Sequence, residues 1–187
     1  WYYTGNLEEP HREGFGYQLT FFRVALDGAN RIKNPSRWKI NQIYFARLTV
    51  TDIESDRFYF FERINRKAMK KAGARSDRLL VWNEDWILNQ DADAHRLKAL
   101  QSGTVIDLLL TPVKNLIIHG KDGVSQKGEE DGNASHYFSY TRMRSEGNVW
   151  IQGKTYPVTG TSWMDHEFSS NQLNEEQIGW NWFSIKL

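Results

Sequence analysis

Residues 15–26 read FGYQLTFFRVAL. Phe15, Tyr17, Leu19 and Phe21 fall at every second place with Gly16, Gln18 and Thr20 between them, and alternation sustained over this length marks a strand with one buried face. The same period returns at 41–53, 57–64, 105–111, 135–144, 149–152, 155–165 and 180–187, with shorter runs at 1–5, 79–82, 86–89 and 95–99. Clusters of Gly, Asn, Asp and Ser separate these runs, and no sustained helical periodicity competes with them. The chain therefore reads as all-β, with roughly ten to twelve antiparallel strands.

Two segments depart from the pattern. Residues 65–74 (NRKAMKKAGA) are basic and Ala-rich with Gly73 near the end, which predicts a short helix or an exposed loop. Residues 116–134 carry GKDGVSQKGEEDGNA, whose glycine and charge density predicts a mobile surface loop. Turn signals at Glu146-Gly147-Asn148 and Gln152-Gly153-Lys154 bracket 149–152, so 135–165 reads as a meander of three neighbouring strands.

The 187 residues are enough for one domain with a real core. Lys plus Arg number 24 against 23 for Asp plus Glu. A net charge of +1 gives no broad attraction to phosphate backbones, so nucleic acid is not an expected partner. The absence of cysteine excludes disulfides, thiolate metal sites and a cysteine nucleophile. No apolar run approaches the ~20 residues of a membrane helix, so no membrane span is expected. The compositional excess is aromatic, eight Trp, eight Tyr and ten Phe, which suits a β core or the lining of an apolar cavity.

The residues 160–170, GTSWMDHEFSS, place three ionisable groups in a row. On an extended strand Trp163, Asp165 and Glu167 share one face and Met164, His166 and Phe168 the other. The three groups cannot converge on one metal, and no metal site is expected. Asp165 and Glu167 would lie about 6.7 Å apart, close enough to border one substrate. A bulge near Ser169-Ser170 would turn His166 to their side. Two readings stand together here. In one, the carboxylates are solvated or paired with Arg142 or Arg144 of the neighbouring strand. In the other, a carboxyl beside the Trp163 indole is desolvated at a cavity rim and becomes a proton donor.

Residues 135–144 (SHYFSYTRMR) make a second face of this kind, with His136, Phe138, Tyr140 and Arg142 on one side of the strand. These supply an acid or base, an aromatic wall and a charge stabiliser, or equally a structural hydrogen-bonded ladder. His11, His95 and His119 sit in turn-like contexts and read as surface residues. The hydrolase elbow, the zinc-protease motif, the phosphate loop and the dinucleotide fingerprint are all absent, and no cofactor is implied.

Three stretches together carry a resemblance: WYYTGNL with EGFGYQLTFFR, HYFSYTRM, and GTSWMDHEFSS followed by GWNWFSIKL. The chain resembles, from Trp1 to Leu187, the AttH family of lipocalin-like proteins, related to carotenoid 1,2-hydratase and often labelled predicted secreted hydrolases. The resemblance implies a lipocalin-like β-barrel or strongly bent sandwich, residues 1–187 being the first of two tandem domains and the second following Leu187. It also implies a periplasmic or secreted location and a leader ahead of this stretch.

For function the resemblance implies an apolar, unsaturated ligand of isoprenoid or polyketide type, with acid–base hydration or cyclisation as the chemistry. Protonating an alkene needs a desolvated acid, a base to position water and aromatic faces for the cation. Asp165 or Glu167 as acid, His166 or His136 as base, and Trp163, Tyr140 and Phe138 as lining, with Arg142 beside them, supply those types. The alternative is a carrier in which the same lining binds a hydrophobic ligand and the polar groups orient it. A hydrolase ranks third, because no nucleophile–base pair is legible. A carboxyl facing the cavity without a cationic partner separates hydratase from carrier. The expected partners are thus a small hydrophobic ligand and a second domain of the same chain.

Overall fold

A computed structural model describes residues 1–26, 40–67, 69–129, 132–169, 178–179 and 181–185. Among them there is no helix and there are thirteen strands. These are β1 (Tyr2–Glu9), β2 (Arg12–Ala25), β3 (Gln42–Asp52), β4 (Arg57–Arg66), β5 (Ala72–Ala74), β6 (Leu80–Asn83), β7 (Trp86–Asp91), β8 (Ala94–Gln101), β9 (Thr104–Pro112), β10 (Ile117–Ile118), β11 (Val124–Gln126), β12 (Ala134–Ile151) and β13 (Lys154–Phe168). All pairings are antiparallel, in the order β4-β3-β2-β1-β13-β12-β9-β8-β7-β6-β5, with β10 and β11 added along β12. The sheet curls until β4 touches β5 and β6, giving a nearly closed, lipocalin-like barrel.

Alternation does the folding. In β2, Phe15, Tyr17, Leu19 and Phe21 are buried, and they meet Leu48 and Val50 of β3, Leu97 of β8, and Leu108 and Leu110 of β9 in one core. The hairpin between β12 and β13 turns at Gln152 (φ 52°) and Gly153 (φ 79°), the left-handed pair that a tight antiparallel hairpin requires.

Three expectations need correction. Glu146-Gly147-Asn148 is not a turn, because β12 runs unbroken from Ala134 to Ile151. Gly147 is there for clearance: a Cβ on it would stand 2.1 Å from the carbonyl oxygen of Asp107 on β9. The described residues of 65–74 form no helix: β4 extends to Arg66, Met69 and Lys70 lie in an exposed turn with left-handed conformations, which is the loop alternative over a shorter stretch, and β5 follows. The stretch 116–134 holds β10 and β11, which use the edge of β12 that β9 vacates after Pro112. The apolar run expected at 180–187 falls partly outside the described residues, Trp180 included. Residues 181–185 lie outside any strand, and Trp182 packs edge-on against Tyr2 and Trp163.

One end of the barrel is plugged. Arg12 lies over the rings of Phe15 (4.6 Å) and Tyr156 (4.7 Å) and is ion-paired with Asp52. The lateral seam between β4 and β6 has no backbone ladder and is closed by side chains. The amide of Asn83, fully buried, donates to the carbonyls of Tyr44 (3.2 Å) and Arg63 (3.3 Å) and accepts from Asn65 Nδ2 (2.7 Å). Arg63 reaches across to the Leu100 carbonyl (2.9 Å), pairs with Asp85 and covers the Trp86 ring at 4.6 Å. Asn83→Ala strips the seam of its central amide and leaves the Asn65 amide facing the gap. A loss of about 1–3 kcal/mol is expected, read as a lower urea midpoint at unchanged denaturant slope.

Candidate functional site

The site is made by a change of phase in β12. Tyr140 pairs with Met164 and Met143 with Ser162, so three residue steps on β12 answer two on β13 and one extra residue bulges at Thr141-Arg142. Before the hairpin, Met143, Val149 and Ile151 point into the core. Beyond the bulge, Phe138 and Tyr140 take that side and Ser135, Tyr137 and Ser139 the other. Arg142 itself is exposed, and its carbonyl accepts from the Val113 amide at 3.1 Å.

On the inner side the cross-strand pairs Tyr140–Met164, Phe138–His166 and His136–Phe168 run outward in sequence. With Tyr3 of β1 and His95 of β8 the first two pairs line a cavity of about 320 Å³ at the end opposite the Arg12 plug. His95 is buried and its Nδ1 lies 2.9 Å from the Tyr3 hydroxyl. A phenol donating to Nδ1 leaves the imidazole proton on Nε2. His166 is stacked on Trp1 (4.7 Å) and touches Phe138 edge-on (4.8 Å). Burial lowers the pKa of His95 to about 4. That of His166 also falls to about 4, chiefly through burial. Burial likewise holds the Tyr3 phenol well above its ordinary value. At neutral pH the two imidazoles and the Tyr3 phenol are thus uncharged, and among the described residues no Asp or Glu lines the cavity.

The carboxylates occupy the other face of the same sheet. Asp165 Oδ1 accepts from Trp163 Nε1 (2.7 Å), Tyr137 Oη (3.0 Å) and Ser139 Oγ. Glu167 Oε1 accepts from Ser135 Oγ (2.5 Å) and pairs with Lys127 at 2.8 Å. His119 lies flat on Tyr137 at 4.0 Å, its Nε2 2.8 Å from Ser139 Oγ. Asp165 is 7% exposed. The groups that hold it are neutral, and the expected partners Arg142 and Arg144 are both exposed and make no ion pair with it.

Of the sequence candidates, the structure brings His166, Phe138 and Tyr140 to the cavity and sets Trp163, Asp165 and Glu167 behind it. His136 sits further out on the inner side, exposed and stacked on Phe168 at 5.1 Å. The register shift in this pair of strands lies at Thr141-Arg142 of β12, and His166 stays on the face opposite the carboxylates. His95 is not a surface residue: it alternates with Leu97 and Ala99 on the buried face of β8. That alternation was the signal that could have found it. His119 is half-buried rather than free on the surface.

The two histidines tie stability to pH. Their folded pKa near 4 lies below the ordinary value of about 6.5, so between these values the unfolded chain binds protons that the folded one does not. Stability is complete above pH ~6.5 and falls as pH drops through that window, by on the order of 1 kcal/mol per pH unit per group. Urea midpoints between pH 6.5 and 5 should show this slope, and His95→Gln with His166→Phe should flatten it. Asp165→Ala leaves three donors facing an empty acceptor position, and should cost more than the ~1 kcal/mol ceiling of an exposed ion pair. Thermal unfolding of that variant is the check.

Comparison with known proteins places this geometry. Among curated proteins nothing matches. The crystal structure of an AttH protein from Nitrosomonas europaea shares 33% identity at a TM-score of 0.82, over 94% of this chain and 52% of its own. Kievitone hydratase from Nectria haematococca shares 12% identity at a TM-score of 0.69, over 91% of this chain and 48% of its own, a likeness of fold. The chain thus spans about half the length of these solved relatives. The family model described as AttH-like matches residues 1–187, and the chain belongs to that family.

Proposed function

We propose that this barrel binds an apolar, unsaturated small molecule of isoprenoid or polyketide type in the cavity between β1, β8, β12 and β13. The observation that carries this reading is a cavity of about 320 Å³ whose walls are largely aromatic and aliphatic, with the imidazoles of His95 and His166 and the phenols of Tyr3 and Tyr140 among them and with Arg75 and Arg78 as its charged lining residues. Flat rings pack well on a conjugated ligand, and a few uncharged donors orient it without the desolvation cost of a buried charge. No carboxyl faces this space, so the feature that would mark alkene protonation inside the barrel is missing among the described residues. Binding is therefore the leading reading, with a second domain beyond Leu187 as the partner we propose for it.

Hydration is the second reading, favoured by the neutral His166 and by the fold shared with a protein named as a hydratase. The chemistry these groups suit is addition of water to an alkene conjugated with a carbonyl. His166 would take the proton of the water as its oxygen bonds to the β-carbon, the Tyr140 phenol would hydrogen-bond the carbonyl oxygen as negative charge builds there, and the imidazolium would return the proton to the α-carbon as the carbonyl re-forms.

The neutral dye N-phenylnaphthylamine and the unsaturated ketone β-ionone test both readings. The dye should brighten on binding, β-ionone should displace it, and Leu80→Trp, which fills the cavity wall, should abolish both effects. A dye signal that survives Leu80→Trp would place binding elsewhere and sink the cavity reading. Mass spectrometry of the recovered ketone distinguishes carrier from hydratase, since turnover adds the mass of one water.

A further inference from the structure

The cavity wall is uncharged, but its mouth is not. Arg75 and Arg78 reach the cavity from the turn between β5 and β6, and they are its only charged lining residues among those described. Arg75 is engaged by Asp77, with Nε–Oδ1 at 2.7 Å and Nη2–Oδ2 at 2.8 Å. Arg78 is exposed and, among the described residues, makes no ion pair, although Asp77 lies near enough to feel its charge. A more open cleft of about 480 Å³ continues from the cavity past Gln90, Leu116 and Tyr140, and adds Lys114 and Asp93. The mouth therefore carries Arg75, Arg78 and Lys114 against Asp77 and Asp93, and the pairing of Arg75 with Asp77 leaves the balance at the opening positive.

From this arrangement we infer that the ligand is an amphiphile: an apolar body enters toward Phe138 and His166 while a carboxylate stays at the mouth on Arg78. The inference rests on the cavity reading above and adds the head group to it. A guanidinium that makes no ion pair among the described residues offers a planar fork of donors that matches one carboxylate. The same mouth repels cationic ligands. The neutral interior leaves nothing to compensate an anion placed deeper, so the charge stays at the opening.

The test is a matched pair. Decanoate and decanol share one chain and differ in the head, and each is titrated against bound N-phenylnaphthylamine at fixed ionic strength and neutral pH. Decanoate is expected to displace the dye about tenfold more tightly than decanol, the scale of one charge-assisted hydrogen bond at a partly solvated site. Arg78→Ala should bring decanoate to the level of decanol and leave decanol unchanged. Equal displacement in the parent protein overturns the head-group assignment and leaves the cavity reading standing. A preference for decanoate that persists when both Arg75 and Arg78 are alanine also overturns it. Displacement by neither overturns the cavity reading and the head group together.

Discussion

A single extra residue in β12 governs what this barrel encloses. Without the bulge at Thr141-Arg142, the parity that buries Met143 and Val149 would carry on to Ser139, Tyr137 and Ser135, and the cavity would be lined with hydroxyls. Phe138 and Tyr140 would face outward. Interrupting the ladder forfeits a hydrogen bond worth about 0.5–1.5 kcal/mol net, and the Val113 amide recovers part of it by donating to the Arg142 carbonyl. Placing an aromatic side chain against the core gains about 1.5–3 kcal/mol. The comparison favours the bulge, and the cavity follows from it.

The adjacency of Asp165, His166 and Glu167 has the same origin. Consecutive residues of a strand serve opposite faces, so a run of three ionisable groups is two arrangements laid over each other. Inward, His166 pairs across the sheet with Phe138. Outward, Asp165 pairs across with Ser139 and gathers three donors on one oxygen. The outer cluster holds β12 and β13 in register one residue away from the pair that forms the cavity wall. Carboxylates that do not line the cavity can in this way fix the position of the residues that do.

Most of the fold was legible because alternation is local, and a strand such as 15–26 declares its buried face within a few residues. What escaped the sequence was non-local. Gly147 looks like a turn residue until the β9 carbonyl pressed against it is known. Residues 116–134 look like a loop because β10 and β11 are two and three residues long and depend on β12 for definition. The candidate site was half legible. Both faces of β13 were read correctly, but a period of two extrapolated through Arg142 put that residue beside His136. His95 was passed over because its neighbours looked turn-like, although Leu97 and Ala99 marked its face.

The seam between β4 and β6 gives the barrel a property that its ladders do not. A closed ladder fixes the circumference of a barrel, since widening it means breaking a whole row of backbone bonds at once. Here the last gap is spanned by Asn65, Asn83 and Arg63 with their few acceptors. At this seam the girth of the barrel is therefore set by side chains, and widening it there costs their few hydrogen bonds rather than a row of backbone ones.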